Sequence, residues 1–321
     1  MLHLKQPPQN VKLLEHEPLA RYTSWRIGGP ARYFAAAMKT DDLRSLMEWA
    51  AAEALPVFML GGGTNILVAD GGYPGLVIRN RATQHRIEEH GDDVRLWVES
   101  GAPTAGTARR LAAQGIGGLV WAEGLPGTIG GAIFGNAGCY GSEITVNLMR
   151  AWVLRDGAVE EWPKARFEHG YRTSVLKRAE GVGESRAAPT VEVSANAQSG
   201  LPTLILAAEL QMFRDDPRKL EADMAAIAES RKSKTPSGSS CGSVFKNPPG
   251  TTAGMLLDQA GLKGTQVGAA IVSDKHANYI VNLGGATAGD VLRLTEVMRE
   301  RVLATFGVEM QLEVQVVGKQ V

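Results

Sequence analysis

The sequence predicts an α+β fold, with helices and sheets in α/β layers, and three observations carry that reading. Strand-length apolar runs share the chain with helices of 3.6-residue period, and strands dominate the stretch from about 145 to 214. Glycine-rich loops sit in strand-rich surroundings rather than between one strand and one helix. The last segment alternates with period two, Val308, Met310, Leu312, Val314 and Val316 facing one way and Glu309, Gln311, Glu313 and Gln315 the other. A chain of 321 residues is too long for one small core and fits two or three domains.

Thr40-Asp41-Asp42 ahead of Leu43, Leu46, Met47, Ala50 and Ala54 predicts a capped amphipathic helix that stops before Pro56. Pro56 to Leu60 reads as a short apolar strand, 61–65 (GGGTN) as a loop, and Ile66 to Ala69 as a second strand. A helix after Pro103 ends near Gln114, with Gly115 at its C-cap. The glycine-rich stretch EGLPGTIGGAIFGNAGCYG follows at 123–141. From about 145 to 214 strands dominate, with Ala151 to Leu154 and Thr203 to Leu206 the clearest. Between them, 178–202 lacks a period and reads as an irregular surface insertion. Asp216 is a cap and Pro217 a first-turn proline, so Leu220, Met224 and Ile227 mark a helix and a domain boundary falls near 215. Ala253 to Ala260 reads as helix, 271–282 (IVSDKHANYIVN) as two strands about a turn. Asp290 to Thr305 is a helix with Val291, Leu294, Met298 and Val302 on one face, ended by Gly307.

Composition excludes several classes. Hydrophobic content is 44% and charged content 21%, and 34 basic residues balance 34 acidic ones, which argues against a general binder of nucleic acid or membrane surface. No run approaches the ~20 apolar residues of a membrane span, and MLHLKQPPQN has no signal-peptide core, so a cytoplasmic protein is expected. Two cysteines, Cys139 and Cys241, make no disulfide framework, and no Cys or His pair has metal-ligand spacing, so no metal is expected.

The glycine loops point to a ligand. Backbone N–H groups of Gly61, Gly62 and Gly63 can form a concave nest for phosphate, with Thr64 and Asn65 adding side-chain donors. A plain hairpin turn is the competing reading of that loop alone. The second loop, with Gly124, Pro126, Gly127, Thr128, Gly131 and Gly138, suggests two loops converging on one extended ligand. A dinucleotide pyrophosphate fits, and flavin adenine dinucleotide (FAD) fits best where no strand-loop-helix fingerprint exists. PSGSSCGSVFKNP at 236–248 offers Ser237, Ser239, Ser240, Cys241 and Ser243, and composition does not choose between turn formers and chemistry.

LGGGTNILVAD, EGLPGTIGGAIFGNAGCYG, YRTSVLK, CGSVFKNP, VSDKHANYIVN and LEVQVVG occur in this order. Together they resemble the UDP-N-acetylenolpyruvoylglucosamine reductase (MurB) family, over about Tyr22 to Gly318. The resemblance implies a two-part FAD-binding domain of the vanillyl-alcohol-oxidase (PCMH) type plus a smaller α/β substrate-binding domain. It divides the chain into 1–78 and 79–214 for the two FAD-binding parts, 215–307 for the substrate domain, and 308–321 for a strand returning to the FAD-binding part. It implies non-covalent FAD, NADPH as co-substrate, and reduction of UDP-N-acetylglucosamine enolpyruvate to UDP-N-acetylmuramate by a cytoplasmic monomer. The 178–202 insertion contains no Tyr, Trp or Phe, which resembles the family type without a tyrosine-bearing loop.

By the same resemblance Arg172 holds the substrate carboxylate, Glu313 helps stabilise the enolate, and Ser243 gives the proton to the α carbon. A planar guanidinium suits a carboxylate, and Glu313 must act protonated or share a proton, since a bare carboxylate would repel an enolate. Tyr171, Lys234, Asn247 and His276 are implied to contact substrate. Tyr140 reads as a lining or packing residue. Three other readings stay open: an FAD-dependent alcohol or aldehyde oxidase, a hydrolase using Cys241 or Ser243 with His276 as base, and a non-catalytic nucleotide-sugar binder.

Overall fold

The computed structural model describes residues 6–91, 93–180 and 201–319. Residues 181–200, most of the expected surface insertion, lie outside the described residues. In chain order the first elements are β1 (Leu13–Pro18), β2 (Pro30–Ala37), α1 (Thr40–Ala52), β3 (Val57–Leu60), β4 (Ile66–Val68) and β5 (Tyr73–Asn80). A sheet of order β1-β2-β5-β3 pairs β2 and β3 parallel to β5 and β1 antiparallel to β2. α1 buries Leu43, Leu46, Met47 and Ala50 against this sheet's core. Each of the two leucine side chains and the methionine contributes roughly 1.5–3 kcal/mol of transfer free energy. Ala54 does not join that face. It is exposed, with a positive φ just past the helix, and Leu55 is buried in its place. The expected Thr40 cap is also absent. Lys39 holds the N-cap position, Thr40 donates to Glu99, and the Asp42 carboxylate accepts from Met38 N at 2.9 Å and Asn10 Nδ2 at 2.7 Å.

β3 and β4 are not a hairpin. β4 leaves the first sheet altogether, so the GGGTN loop is a crossover between two layers. The expected boundary at 78 lies within β5, and the chain changes sheet only after Asn80.

The second layer contains β6 (His85–His90), β7 (Asp93–Glu99), α2 (Thr104–Ala112), β8 (Ile116–Gly117), α3 (Ile129–Gly135), β9 (Gly138–Cys139), β10 (Ser142–Glu143), α4 (Ile144–Asn147), β11 (Leu148–Arg155), β12 (Ala158–Pro163), α5 (Val175–Ala179), β13 (Leu204–Arg214) and α6 (Pro217–Lys234). Its antiparallel sheet runs β12-β11-β13-β7-β6, with β8 on the end of β13. Helices cover one face and complete a core of Leu96, Leu111, Ile133, Leu210 and neighbours. α6 opens as expected, Asp216 Oδ1 accepting from Arg218 N at 2.9 Å ahead of Pro217. Its buried residues, Leu220 and Met224, pack into this second core, so a boundary at 215 separates the helix from the core it completes.

The third layer has α7 (Ala253–Gln259), the antiparallel sheet of β14 (Gln266–Val267), β15 (Ala270–Val272) and β16 (Ile280–Asn282), and α8 (Ala288–Phe306). Val291, Leu294, Met298 and Val302 of α8 are buried as the period requires. Thr287 and Asp290 form its capping box and Gly307 closes it in the left-handed region. Asp70, just past β4, caps it again across the molecule, with Oδ1 and Oδ2 accepting from Ala288 N and Gly289 N at 2.8 and 2.9 Å. Trp25 joins the same core and donates from Nε1 to Ile280 O.

The long C-terminal strand read from 308–316 is shortened. The strand is β17 (Gln315–Val317), parallel to β4, and the preceding residues make scattered contacts with two different segments. Among the described residues no helix is long and apolar enough to cross a membrane.

Candidate active site

The two glycine loops meet. A Cβ on Gly62 would stand 2.8 Å from Gly127 Cα, and one on Gly61 2.8 Å from Thr128 Oγ1. Hydrogen-bearing backbone at these positions is what lets the loops touch. They border a cavity of about 1290 Å³, lined by Gly61, Gly62, Gly63, Thr64, Asn65, Pro126, Gly127, Thr128, Gly131 and Gly138 among the residues expected to hold a cofactor. Gly124 does not line it. Its left-handed φ and the Arg231 side chain against it, 2.8 Å from where a Cβ would be, account for the glycine there. Asn65 lines the cavity, but its amide donates to Glu313 O at 3.1 Å, and its carbonyl accepts from Gln315 N at 3.0 Å. It is a fastener for the C-terminal segment.

Arg172, Glu313 and Ser243 line the same cavity. Glu313 is fixed by its main chain: its N–H donates to Val244 O at 2.8 Å, next to Ser243, and its carbonyl accepts from Asn65. Arg172 donates from Nη2 to Gly138 O at 2.9 Å, tying it to the second glycine loop. Its Nε lies 2.8 Å from Glu313 Oε1. That N–H is not directed along the contact, so the two groups form an ion pair without an aligned hydrogen bond. Burial pushes the Glu313 carboxyl up, and the cations Arg172, Lys177 and Lys246 oppose the shift. Ser243 follows Gly242 at φ +82° and precedes Val244 and Phe245, both wholly buried. Asn278 clamps that segment, its side chain bonding Phe245 N and Phe245 O at 2.9 Å each.

The expected substrate contacts divide between places. Lys234 and His276 line a second cavity of about 430 Å³ with Tyr140, and Cys139, Arg231 and Tyr279 border both cavities. His276 Nδ1 accepts from Asn278 N at 3.2 Å, and burial lowers its pKa. Tyr171 and Asn247 line neither cavity. Tyr171 is 54% exposed beneath the Arg172 guanidinium, and its hydroxyl receives Asn247 N at 3.4 Å. Asn247 Oδ1 accepts from Ala253 N at 3.0 Å, a loop fastening at the start of α7. Cys241 is buried, and burial pushes its thiol up, away from nucleophile chemistry.

Sequence reasoning missed Lys177 and Asn278. Lys177 stands in YRTSVLK, a motif in which the sequence singles out Tyr171 and Arg172. In the fold it is 4% exposed and lines the main cavity.

Residues 233–317 match the C-terminal domain of UDP-N-acetylenolpyruvoylglucosamine reductase, and residues 31–160 match an FAD binding domain. The UDP-N-acetylenolpyruvoylglucosamine reductase of Chloroflexus aggregans is 49% identical over 308 residues, 96% of this chain and 98% of that protein. This chain belongs to the UDP-N-acetylenolpyruvoylglucosamine reductase family. The Rubrobacter xylanophilus reductase is 41% identical over 303 residues, 94% of each chain. The crystal structure of the reductase (MurB) from Thermus caldophilus aligns at a TM-score of 0.75 and 30% identity, covering 96% of this chain and 98% of that one.

The fold is the α+β arrangement of that family, an FAD-binding part with a smaller α/β layer, and the chain is an FAD-dependent oxidoreductase of the UDP-N-acetylmuramate dehydrogenase class. The residues present fit FAD. The cavity exceeds the roughly 300–1,000 Å³ of ordinary small-molecule sites. Among the described residues, Thr104 Oγ1 is buried on its wall without a hydrogen-bond partner. Such an atom is stabilised by a polar ligand. No group of three or more His, Cys, Asp or Glu among the described residues is arranged to hold a metal ion.

Proposed function

We propose that this chain reduces UDP-N-acetylglucosamine enolpyruvate to UDP-N-acetylmuramate with NADPH as the electron source. The observation that carries the reading is the convergence of Arg172, Glu313 and Ser243 on one cavity with both glycine loops. The loop residues Gly61 to Thr64 and Pro126 to Gly131 would hold FAD, which when bound supplies the hydride for the carbon β to the substrate carboxylate.

The chain's own residues handle the charge and the proton. Negative charge grows on the substrate carboxylate as the enolate forms, and the Arg172 guanidinium, anchored to Gly138, offers N–H donors to it. Glu313, with its carboxyl raised by burial, can hold a proton beside that charge rather than repel it. Ser243 Oγ gives its proton to the α carbon. Gly242 and the Asn278 clamp keep that hydroxyl in place. Lys234 and His276, in the adjoining cavity, would meet the nucleotide-sugar portion of the same substrate. A monomeric, cytoplasmic enzyme is part of this reading.

The test is an anaerobic flavin spectrum. NADPH should bleach the flavin absorbance, and the enolpyruvyl nucleotide sugar should then restore it. Bleaching without restoration would defeat the proposal. Oxygen consumption with an alcohol or aldehyde would favour an oxidase instead.

A further inference from the structure

We propose that Lys177 is a positioning residue for the substrate carboxylate, holding Arg172 by its main chain and supplying a buried positive charge behind it. The inference rests on the reductase reading above. Lys177 Nζ donates to Arg172 O at 3.1 Å. Arg172 has φ +57°, a left-handed conformation that non-glycine residues adopt only when their surroundings over-determine it. The hydrogen bonds around Arg172 provide that determination. Gly170 and Thr173 exchange two main-chain hydrogen bonds at 3.2 Å, closing the turn that contains Arg172. Ser174 Oγ donates to Phe134 O at 2.6 Å and accepts from Lys177 N at 3.2 Å, so the helix start that carries Lys177 is itself fixed. The lysine side chain then folds back over one turn to the Arg172 carbonyl.

The surroundings explain why a buried ammonium is tolerated there. The groups facing it are Glu313, which favours its charge, and Arg172 and Lys246, which oppose it. Of these groups Arg172, Lys177 and Glu313 line the cavity, and Lys246 adds a further positive charge from outside its wall. The surplus positive charge suits a ligand carboxylate that gains electron density during reaction. Burial and the neighbouring cations lower the Lys177 pKa to about 8.

The experiment compares Lys177→Met, which loses donor and charge, with Lys177→Gln, which retains a donor amide without charge. Flavin reduction by NADPH and turnover of the enolpyruvyl nucleotide are measured on both variants and on the unaltered flavin-loaded enzyme. Lys177→Met should lower kcat/KM for the enolpyruvyl nucleotide by ~10- to 100-fold, the worth of one hydrogen bond from a charged group. Lys177→Gln should recover part of that loss, and flavin reduction should change by less than about threefold in both. In the unaltered enzyme, activity should fall as pH rises through about 8, and Lys177→Gln should lack this limb. Equal loss in both half-reactions, or an unchanged alkaline limb in Lys177→Gln, would overturn the assignment. Should Lys177→Met not fold, the Lys177→Gln pH profile decides alone. An unaltered enzyme silent toward the substrate would defeat the reductase reading itself, whereas an active enzyme indifferent to Lys177 defeats only this inference.

Discussion

Replacing Gly62 by alanine should weaken FAD binding while leaving the fold intact. The added Cβ would stand 2.8 Å from Gly127 Cα and 3.4 Å from Thr64 Cγ2. Carbon atoms rest at about 3.5–4.0 Å, so the two loops must part by roughly 0.7–1.2 Å. The nearest obstacle is main chain, which cannot rotate aside as a side-chain tip would. Overpacking of this kind costs about 1–3 kcal/mol. Because the loops meet at the cavity wall, the opening distorts the cradle directly. A penalty of that size falling on the bound state corresponds to a ~5- to 150-fold rise in the Kd for FAD. The assay is fluorescence titration of the apoprotein with FAD, alongside thermal unfolding of the apoprotein. Gly106→Ala is the control. A Cβ there meets Pro103 Cβ at an ordinary 3.6 Å inside α2, so it should leave FAD affinity unchanged and add about 0.5–1 kcal/mol of stability. Equal FAD affinity for Gly62→Ala and Gly106→Ala would refute the claim that loop contact shapes the site.

Ser243→Ala should leave flavin reduction by NADPH intact and slow reoxidation by the enolpyruvyl nucleotide by ~10²- to 10⁴-fold in stopped-flow absorbance; equal losses in the two steps would remove Ser243 as proton donor. Asp70→Ala deprives the start of α8 of two charge-assisted acceptors and should lower stability by about 2–3 kcal/mol in a urea titration, with an unchanged midpoint counting against the cross-molecule cap. His169 is packed against Phe167, with Nε2 bonded to Ile133 O at 2.7 Å and Nδ1 buried without a partner among the described residues, and burial lowers its pKa below 6.5. The unfolded chain therefore binds the proton more readily, so stability present above pH 6.5 should be lost as pH falls through the lowered native value. His169→Gln should flatten that part of the stability-pH curve, and an unaltered slope would assign the effect elsewhere.

Much of the site was legible because motifs are local. The glycine loops, Arg172, Ser243 and Glu313 stand in short runs whose order along the chain points to one family, and the fold brings these residues to one cavity. Helices were legible for the same reason. The face of α8 and the first turn of α6 follow from spacing and capping within a few residues, where the hydrogen bonds themselves are local.

What the chain alone could not decide are relations between distant segments. Period-two alternation over 308–316 looked like one strand, yet strand character depends on a partner: Gln311 and Glu313 bond the 244–246 segment, and only Gln315 onward pairs with β4. Likewise α6 has a helix pattern that says nothing about which core receives Leu220 and Met224. Asn65 reads as a phosphate donor until its amide is found on Glu313 O, and Asn247 as a substrate contact until its oxygen is found on Ala253 N. Lys177 is the clearest case. Its hydrogen bond to Arg172 O is local; tertiary burial beside Glu313 and Lys246 decided the setting of its charge, because desolvation and Coulomb forces act through space rather than along the chain.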